Sequence, residues 1–418
     1  MKNDTIQIAL IGAGGMGTGD TNYEVSEPGV KLLAVSDIYD GRLERAKERW
    51  GSDIFTTRDY REVLAKPEID AIIIGTPDHW HSRITIDALN AGKDVYCEKP
   101  MVHALEEGPK VIEAQQRTGH ILQIGSQYAS SVIYQKAQDL LAQKAIGELN
   151  SVEAWLDRNT AIGAWQYSIP PDATPERIDW DRFLGNAPKV PFEPVRLFRW
   201  RNYKDYGTGV AGDLFVHLLT GLHFATGSLG PERVYATGGL RFWKDGRDVP
   251  DVMLALLDYP ATEKHPAFTT RLKVNFESGL PQESFGVKFV GSEGTLTTGY
   301  NSLVLSRHPR ETEPGYTIGT FPNAVQAEFL REYHKKYPVE RPTADAIRPD
   351  ADETFETPHG YDQHLEHHRN FLKAVRTRKP FLEDGVFGFR AAGPALLTNM
   401  SYFEGRVYRW DANAMRAS

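Results

Sequence analysis

The stretch Ile6-Gln7-Ile8-Ala9-Leu10-Ile11-Gly12-Ala13-Gly14-Gly15-Met16-Gly17 decides the fold. A strand-sized apolar run ends in glycines at 12, 14 and 17, the spacing of a turn that carries a strand tightly into a helix. The first glycine permits the turn, the second lets a pyrophosphate approach the backbone, and the third lets helix pack on strand. The helix that follows aims unpaired N–H groups and the positive end of its dipole at those phosphates. Gly15 and Met16 complete the loop and are expected to touch the cofactor with the three glycines. A chain with 37 glycines produces such a spacing by chance, so context carries the reading. A second strand over 31–36 ends at Asp37, 20 residues beyond Gly17, where a carboxylate accepts the adenosine ribose hydroxyls. A carboxylate there repels a 2′-phosphate, which favours NAD over NADP, although Arg42 nearby complicates that charge argument.

Outward from the turn, apolar runs at 6–11, 31–36, 71–75, 94–97 and 121–124 alternate with helix-period stretches at 42–50, 59–64, 82–91 and 106–118. That rhythm predicts a doubly wound parallel sheet, with ligands at the carboxyl ends of its strands. Thr76, Pro77 and His81 follow the third of these runs and are expected at the cofactor. After about residue 126 the texture changes. A helix over 133–144 and a strand over 149–156 lead to a proline- and aromatic-rich segment, 163–206, long enough to act as a lid, binding loop or interface. Strand-like runs at 234–242, 252–259, 269–276, 286–289 and 294–297 then follow one another without helices, which predicts a mainly antiparallel sheet. The expected architecture is an α/β Rossmann domain over 1–126, binding NAD, and an α+β domain over 127–418, binding substrate and carrying oligomer contacts.

At 418 residues the chain exceeds what one core usually holds. A net charge of −8, with both signs interspersed, argues against nucleic acid or an anionic membrane as partner and suits a small-molecule substrate. No apolar run is long enough to span a bilayer, and the first residues show no export signal, so a cytoplasmic location is expected. A mature exported form would read the same. The single cysteine, Cys97, leaves no disulfide framework and reads as an inert strand residue.

The fourth strand ends in Glu98-Lys99-Pro100, which puts a lysine where the nicotinamide end should lie. Taken alone, a lysine before a proline is more often a solvated surface residue. Its functional reading is an ammonium that lowers the pKa of a reacting carbinol. Further on, Asp213 and His217 stand at i and i+4 if Asp213 begins a helix, and an imidazole there can take a hydroxyl proton while the carboxylate orients it. On these residues alone, a helix N-cap and a core histidine fit as well or better.

The glycine turn, Asp37, Thr76-Pro77, Glu98-Lys99-Pro100 and Asp213-x-x-x-His217, in this order, resemble the Gfo/Idh/MocA-type oxidoreductases over nearly the whole chain. The resemblance implies a Rossmann domain followed by an α+β domain with an open antiparallel sheet, and a homo-oligomer, dimer or tetramer, formed through that sheet. It also implies a catalytic trio of Lys99, Asp213 and His217, with Lys99 touching both substrate and nicotinamide. Glu98 and Gln127 are expected beside the cofactor. Arg158, with Trp165 and Tyr203 among the aromatics 165, 167, 200 and 203, is expected to hold a sugar, although the aromatics read equally well as packing. The histidines at 79 and 81 and at 364, 367 and 368 invite a metal, but the first pair fits the cofactor rim and the second cluster the polar face of a helix, so no metal is expected.

The reaction expected is hydride transfer between NAD(P), NAD before NADP, and a secondary hydroxyl of a sugar, polyol or related carbohydrate. An NAD-dependent glycosidase, working by transient oxidation, elimination, water addition and re-reduction, is the alternative. A non-catalytic dinucleotide or sugar sensor is the third reading.

Overall fold

The computed structural model describes residues 5–280, 283–308, 314–338 and 352–417. Six strands form the first sheet: β1 (Ile6–Ile11), β2 (Val30–Ser36), β3 (Phe55–Thr57), β4 (Ala71–Ile74), β5 (Asp94–Cys97) and β6 (Leu122–Ile124). Their order is β3-β2-β1-β4-β5-β6 and every pairing is parallel. The chain winds outward from β1 to β3 and then crosses back to β4, so the reversal lies between β1 and β4, where open α/β sheets bind their ligands. β4 and β5 are buried along their whole length, as strands covered by helices on both faces must be. The edge strand β3, three residues without alternation, is the one the sequence did not predict.

The second sheet has ten strands: β7 (Leu149–Asp157), β8 (Arg233–Gly239), β9 (Val252–Tyr259), β10 (Phe268–Asn275), β11 (Ser284–Gly291), β12 (Gly294–Thr298), β13 (Ser302–Arg307), β14 (Glu353–Glu356), β15 (Tyr408–Asp411) and β16 (Arg416–Ala417). They lie in the order β14-β13-β12-β11-β7-β10-β9-β8-β15-β16, antiparallel except where β7 meets β10. Alternation along β8, β9 and β10 turns one face onto the helices and leaves Tyr235, Leu254 and Leu256 exposed on the other. Fold class and sheet types are those expected from the sequence.

A boundary at residue 126 falls just after β6, yet the chain returns to the first sheet. The helix Gln363–Thr377 packs on the helix Gly15–Val25 and sets Phe371 and Leu372 against Ile8, Leu10, Ile73 and Tyr96. His367 and His368 lie on the buried side of that helix and not on a solvated polar face, which corrects the reading of its pattern. They are tolerated there because each finds partners: His367 meets Ser130 Oγ and the Ile124 carbonyl, and His368 meets Glu24 and Asp20.

The segment after β7 contains only short helices, Trp180–Leu184 and Pro194–Phe198, and packs across the carboxyl edge of the first sheet. Asp40 N–H donates to the Arg177 carbonyl at 3.0 Å, and Asp179 N–H to the Ile38 carbonyl at 2.9 Å. Arg58 holds Asp40 with two nitrogens and reaches the Glu176 carbonyl, while the Trp80 indole donates to the Phe183 carbonyl. A small apolar cluster of Tyr39, Ile178, Phe183, Leu197, Phe198 and Tyr206 fills the space between. The segment is therefore a roof.

Candidate active site

Beneath that roof runs a cleft of about 530 Å³, extending from the glycine turn to the end of β5. Its floor is Gly12, Gly14, Gly15, Met16, Asp37, Thr76, Pro77, His81, Glu98 and Lys99, so ten residues picked from the sequence as cofactor contacts line one space. Gly12 has φ of +92°, and a Cβ on Gly17 would lie 2.2 Å from the Gly12 carbonyl oxygen. Gly15 has nothing within 4 Å of such a Cβ. The turn is thus closed where helix meets strand and open where phosphates would lie. Gly14 at the helix N-cap makes no side-chain cap, and the first turn carries no acidic residue, which leaves its N–H groups for an anion. These features fit a dinucleotide pyrophosphate.

Asp37 stands at the end of β2 and accepts the N–H groups of Ala13, at 2.8 Å, and Tyr39, at 3.0 Å. Arg42 lies 3.4 Å from its Oδ2 and packs over Phe198 of the roof. The carboxylate is thereby charge-compensated, so repulsion of a 2′-phosphate is weaker than Asp37 alone would give. His81 sets one ring nitrogen 2.7 Å from the Pro100 carbonyl and the other 2.9 Å from that of Thr76, tying the ends of β4 and β5 together. Gln127 does not line the cleft; it lies behind Glu98, with Nε2 at 3.4 Å from Oε1.

At the far end, Lys99 Nζ donates to both the backbone carbonyl and Oδ1 of Asp213, each at 3.0 Å. Asp213 does not begin its helix. The helical stretch starts at Gly209, and residues Ala211–Phe215 form a π turn that continues into the helix Val216–Thr226. Such widened turns recur at functional sites, and here the turn gives Lys99 two acceptors from one residue. His217 follows within a turn, half-buried, with its ring edge-on to Tyr128 at 5.4 Å. Its Nδ1 has no hydrogen-bond partner among the described residues.

The electrostatics separate these groups. Burial pushes Asp213 toward the neutral acid, but Lys99 and Arg201 overcome it and hold the carboxyl well below its ordinary range. Burial and the Lys99 ammonium both depress His217 well below 6.5, which leaves a neutral imidazole able to accept a proton. Burial, with Asp20 adding to it, raises Glu98, and burial raises Asp78. Cys97 is buried and its thiol is pushed up to about 12, an inert residue.

The expected sugar-binding side chains divide. Tyr167 and Trp200 line the cleft. Trp165 is 1% exposed and packs edge-on against Phe276, and Tyr203 is buried beneath Arg196. Neither presents a face to a ligand: Tyr203 helps fill the roof's own core, and Trp165 belongs to the core beneath the second sheet. Arg158 is paired with Glu283 at 2.9 Å and donates to the Gly163 carbonyl. Two cleft residues were missed. Arg201 donates from Nε to Asp213 at 3.1 Å, and Asp78 accepts the Thr208 N–H and hydroxyl.

Residues 6–126 match the family described as an oxidoreductase family with an NAD-binding Rossmann fold. This part of the chain matches the Gfo/Idh/MocA oxidoreductase family. The Gfo/Idh/MocA resemblance drawn from the glycine turn and the Glu-Lys-Pro segment is thereby confirmed for the domain that carries them. Among relatives, scyllo-inositol 2-dehydrogenase (NAD(+)) of Bacillus subtilis is 34% identical over 144 residues, 34% of this chain and 42% of its own. Inositol 2-dehydrogenase of Rubrobacter xylanophilus is 29% identical over 166 residues, 39% of this chain and 47% of its own. The matches thus span less than half the length of these relatives. The fold is shared further: levoglucosan dehydrogenase, solved with NADH and levoglucosan, superposes with a TM-score of 0.69 at 16% identity, over 96% of this chain and 98% of that one. No helix among the described residues is long and apolar enough to cross a membrane.

Proposed function

We propose that the protein is an NAD-dependent oxidoreductase acting on a secondary hydroxyl of a sugar or polyol. The observation that carries this is the contact of Lys99 with Asp213, 114 residues apart in sequence, at the end of a cleft that begins at a phosphate-binding turn. A bound nicotinamide supplies or takes up the hydride. Lys99 donates to the carbinol oxygen and favours its alkoxide, while Asp213 holds the ammonium in place and offsets its charge. His217, neutral at physiological pH, takes the hydroxyl proton on its imidazole and returns it in the reverse direction. The names of the inositol and levoglucosan dehydrogenases support a polyhydroxylated substrate. NAD is favoured over NADP by Asp37, against the partial compensation by Arg42.

The roof favours a second reading. Its contacts to 38–40, 58 and 79–80 enclose the cleft, and a dinucleotide retained there suits a redox-neutral cycle such as a glycoside cleavage by transient oxidation. One experiment separates the two. Incubation with NAD and a panel of polyols, sugars and glycosides is read both as NADH absorbance and as released aglycone. NADH growing with each turnover supports the dehydrogenase. Aglycone release at constant NAD supports the cycle, and binding of NAD with neither supports a sensor. The exposed Tyr235, Leu254 and Leu256 support assembly of copies through the open face of the second sheet, testable by sedimentation.

A further inference from the structure

We propose that the substrate carries a carboxylate and that Arg201 is the residue that reads it. The inference rests on the oxidoreductase reading and names its substrate class as sugar acids, uronic or aldonic. Of the arginines lining the cleft, Arg42, Arg58, Arg61 and Arg182 each face a carboxylate of the first sheet's rim: Asp37, Asp40 or Asp59. Arg83 lies 4.0 Å from Asp87. Arg201 differs. Its one ionic partner among the described residues, Asp213, is shared with Lys99, and only its Nε is used. Its two terminal nitrogens have no acceptor among the described residues, and they are not sealed off, since the residue lines the cleft. Stacking on Trp200, with the guanidinium carbon 4.2 Å from the ring centroid, fixes the plane of the fork.

The charge count points the same way. Two cations, Lys99 and Arg201, face one ionised carboxylate, Asp213. Asp78 is engaged by the Thr208 N–H and hydroxyl, and Glu98 faces Gln127. Arg158 is matched by Glu283. Lys99 and Arg201 thus share one carboxylate, and the outer edge of the Arg201 fork has no anion of its own among the described residues. A guanidinium fork donates two parallel hydrogen bonds to a planar carboxylate.

The test uses matched ligands on the full-length protein: D-glucuronate against D-glucose, D-galacturonate against D-galactose, and D-glucose 6-phosphate as the phosphate arm. Each is measured for NADH formation and, independently, for calorimetric binding to protein loaded with NADH. The acids are expected to bind at least about 10-fold more tightly than their neutral parents. In Arg201→Met that ratio falls to about one, and Arg201→Lys restores part of it. A residue that merely steadied Asp213 would weaken acid and neutral ligands by the same factor and leave the ratio unchanged, which would overturn the proposal. Equal binding of acids and neutral sugars to the unaltered protein, no binding of either, or preference for the phosphate ester would also overturn it. Acids that bind selectively but yield no NADH would sustain this assignment while removing the hydride-transfer reading. NADH formed equally from neutral sugars would do the reverse.

Discussion

The two ends of the cleft are built differently. The cofactor end is made of backbone: three strand ends, a glycine turn and a helix N-terminus, with Gly12, Gly14, Asp37 and Thr76 all placed by the local path of one sheet. The substrate end is made of side chains from distant segments. Lys99 follows β5, Arg201 hangs from the roof, Asp213 sits in a widened helical turn and His217 in the helix that continues it. Backbone sites depend on space and tolerate little bulk. Side-chain sites depend on charge balance, and their failure is chemical before it is structural.

That contrast can be broken at either end. The largest effect is expected for Lys99→Met, which removes the donor to the carbinol: kcat/KM falls by about 10³-fold, about 4 kcal/mol. NAD binding, followed by fluorescence, stays within about threefold. A parallel loss of NAD affinity would mean that the two ends are not separable. His217→Asn should lower kcat/KM by about 10²-fold or more and remove the acidic limb of its pH profile. Burial and Lys99 favour neutral His217, so in the unaltered protein that limb lies well below pH 6.5 and activity is flat through neutrality. A limb centred at 6.5 or higher would contradict the depression of His217 by burial and Lys99.

Behind the cofactor end, His368 is buried against Glu24 at 3.1 Å and Asp20 at 3.4 Å. Burial opposes its charge, but the two carboxylates raise its pKa to about 9. A folded value above the ordinary 6.5 means the contribution is complete below pH 6.5 and lost as pH rises through about 9. His368→Leu should cost about 3 kcal/mol in urea unfolding near pH 6, and less at pH 9.5, because it leaves buried carboxylates uncompensated. A pH-independent cost would show that the pair acts by packing alone. The smallest effects are a matched pair at the turn. Gly17→Ala should lose about 2 kcal/mol of stability and weaken NAD binding, since its Cβ meets the Gly12 carbonyl at 2.2 Å. Gly15→Ala, with open space, should fold like the unaltered chain.

The same contrast explains what could be read from residues alone. A backbone site is a local pattern: a strand, glycines at fixed spacing and an acid 20 residues on specify Gly12 to Asp37 without tertiary knowledge. Lys99 and its partners became legible only because a resemblance linked them. Asp213 was read as a helix start because Asp after Gly207-Thr208-Gly209 looks like a cap, whereas the structure starts the helix earlier and widens it. Arg201 carried no signal, since its role arises from sharing Asp213 with a lysine 102 residues away in sequence. The aromatics 165, 167, 200 and 203 are chemically alike, and only tertiary packing decides that Tyr167 and Trp200 face the cleft while Tyr203 fills the roof's core and Trp165 the core beneath the second sheet. The helix 363–377 misled by the same route: its histidines look solvated until Asp20 and Glu24 are placed against it.

The most direct test of the central claim follows the hydride itself. Protein and NAD are incubated with polyols and sugar acids deuterated at their carbinol carbons, and the NADH is analysed by mass spectrometry. The account predicts deuterium on the nicotinamide with the unaltered protein and almost none with Lys99→Met, although both bind NAD. Bound NAD that never acquires label from any of these compounds, or equal labelling by Lys99→Met, would contradict it.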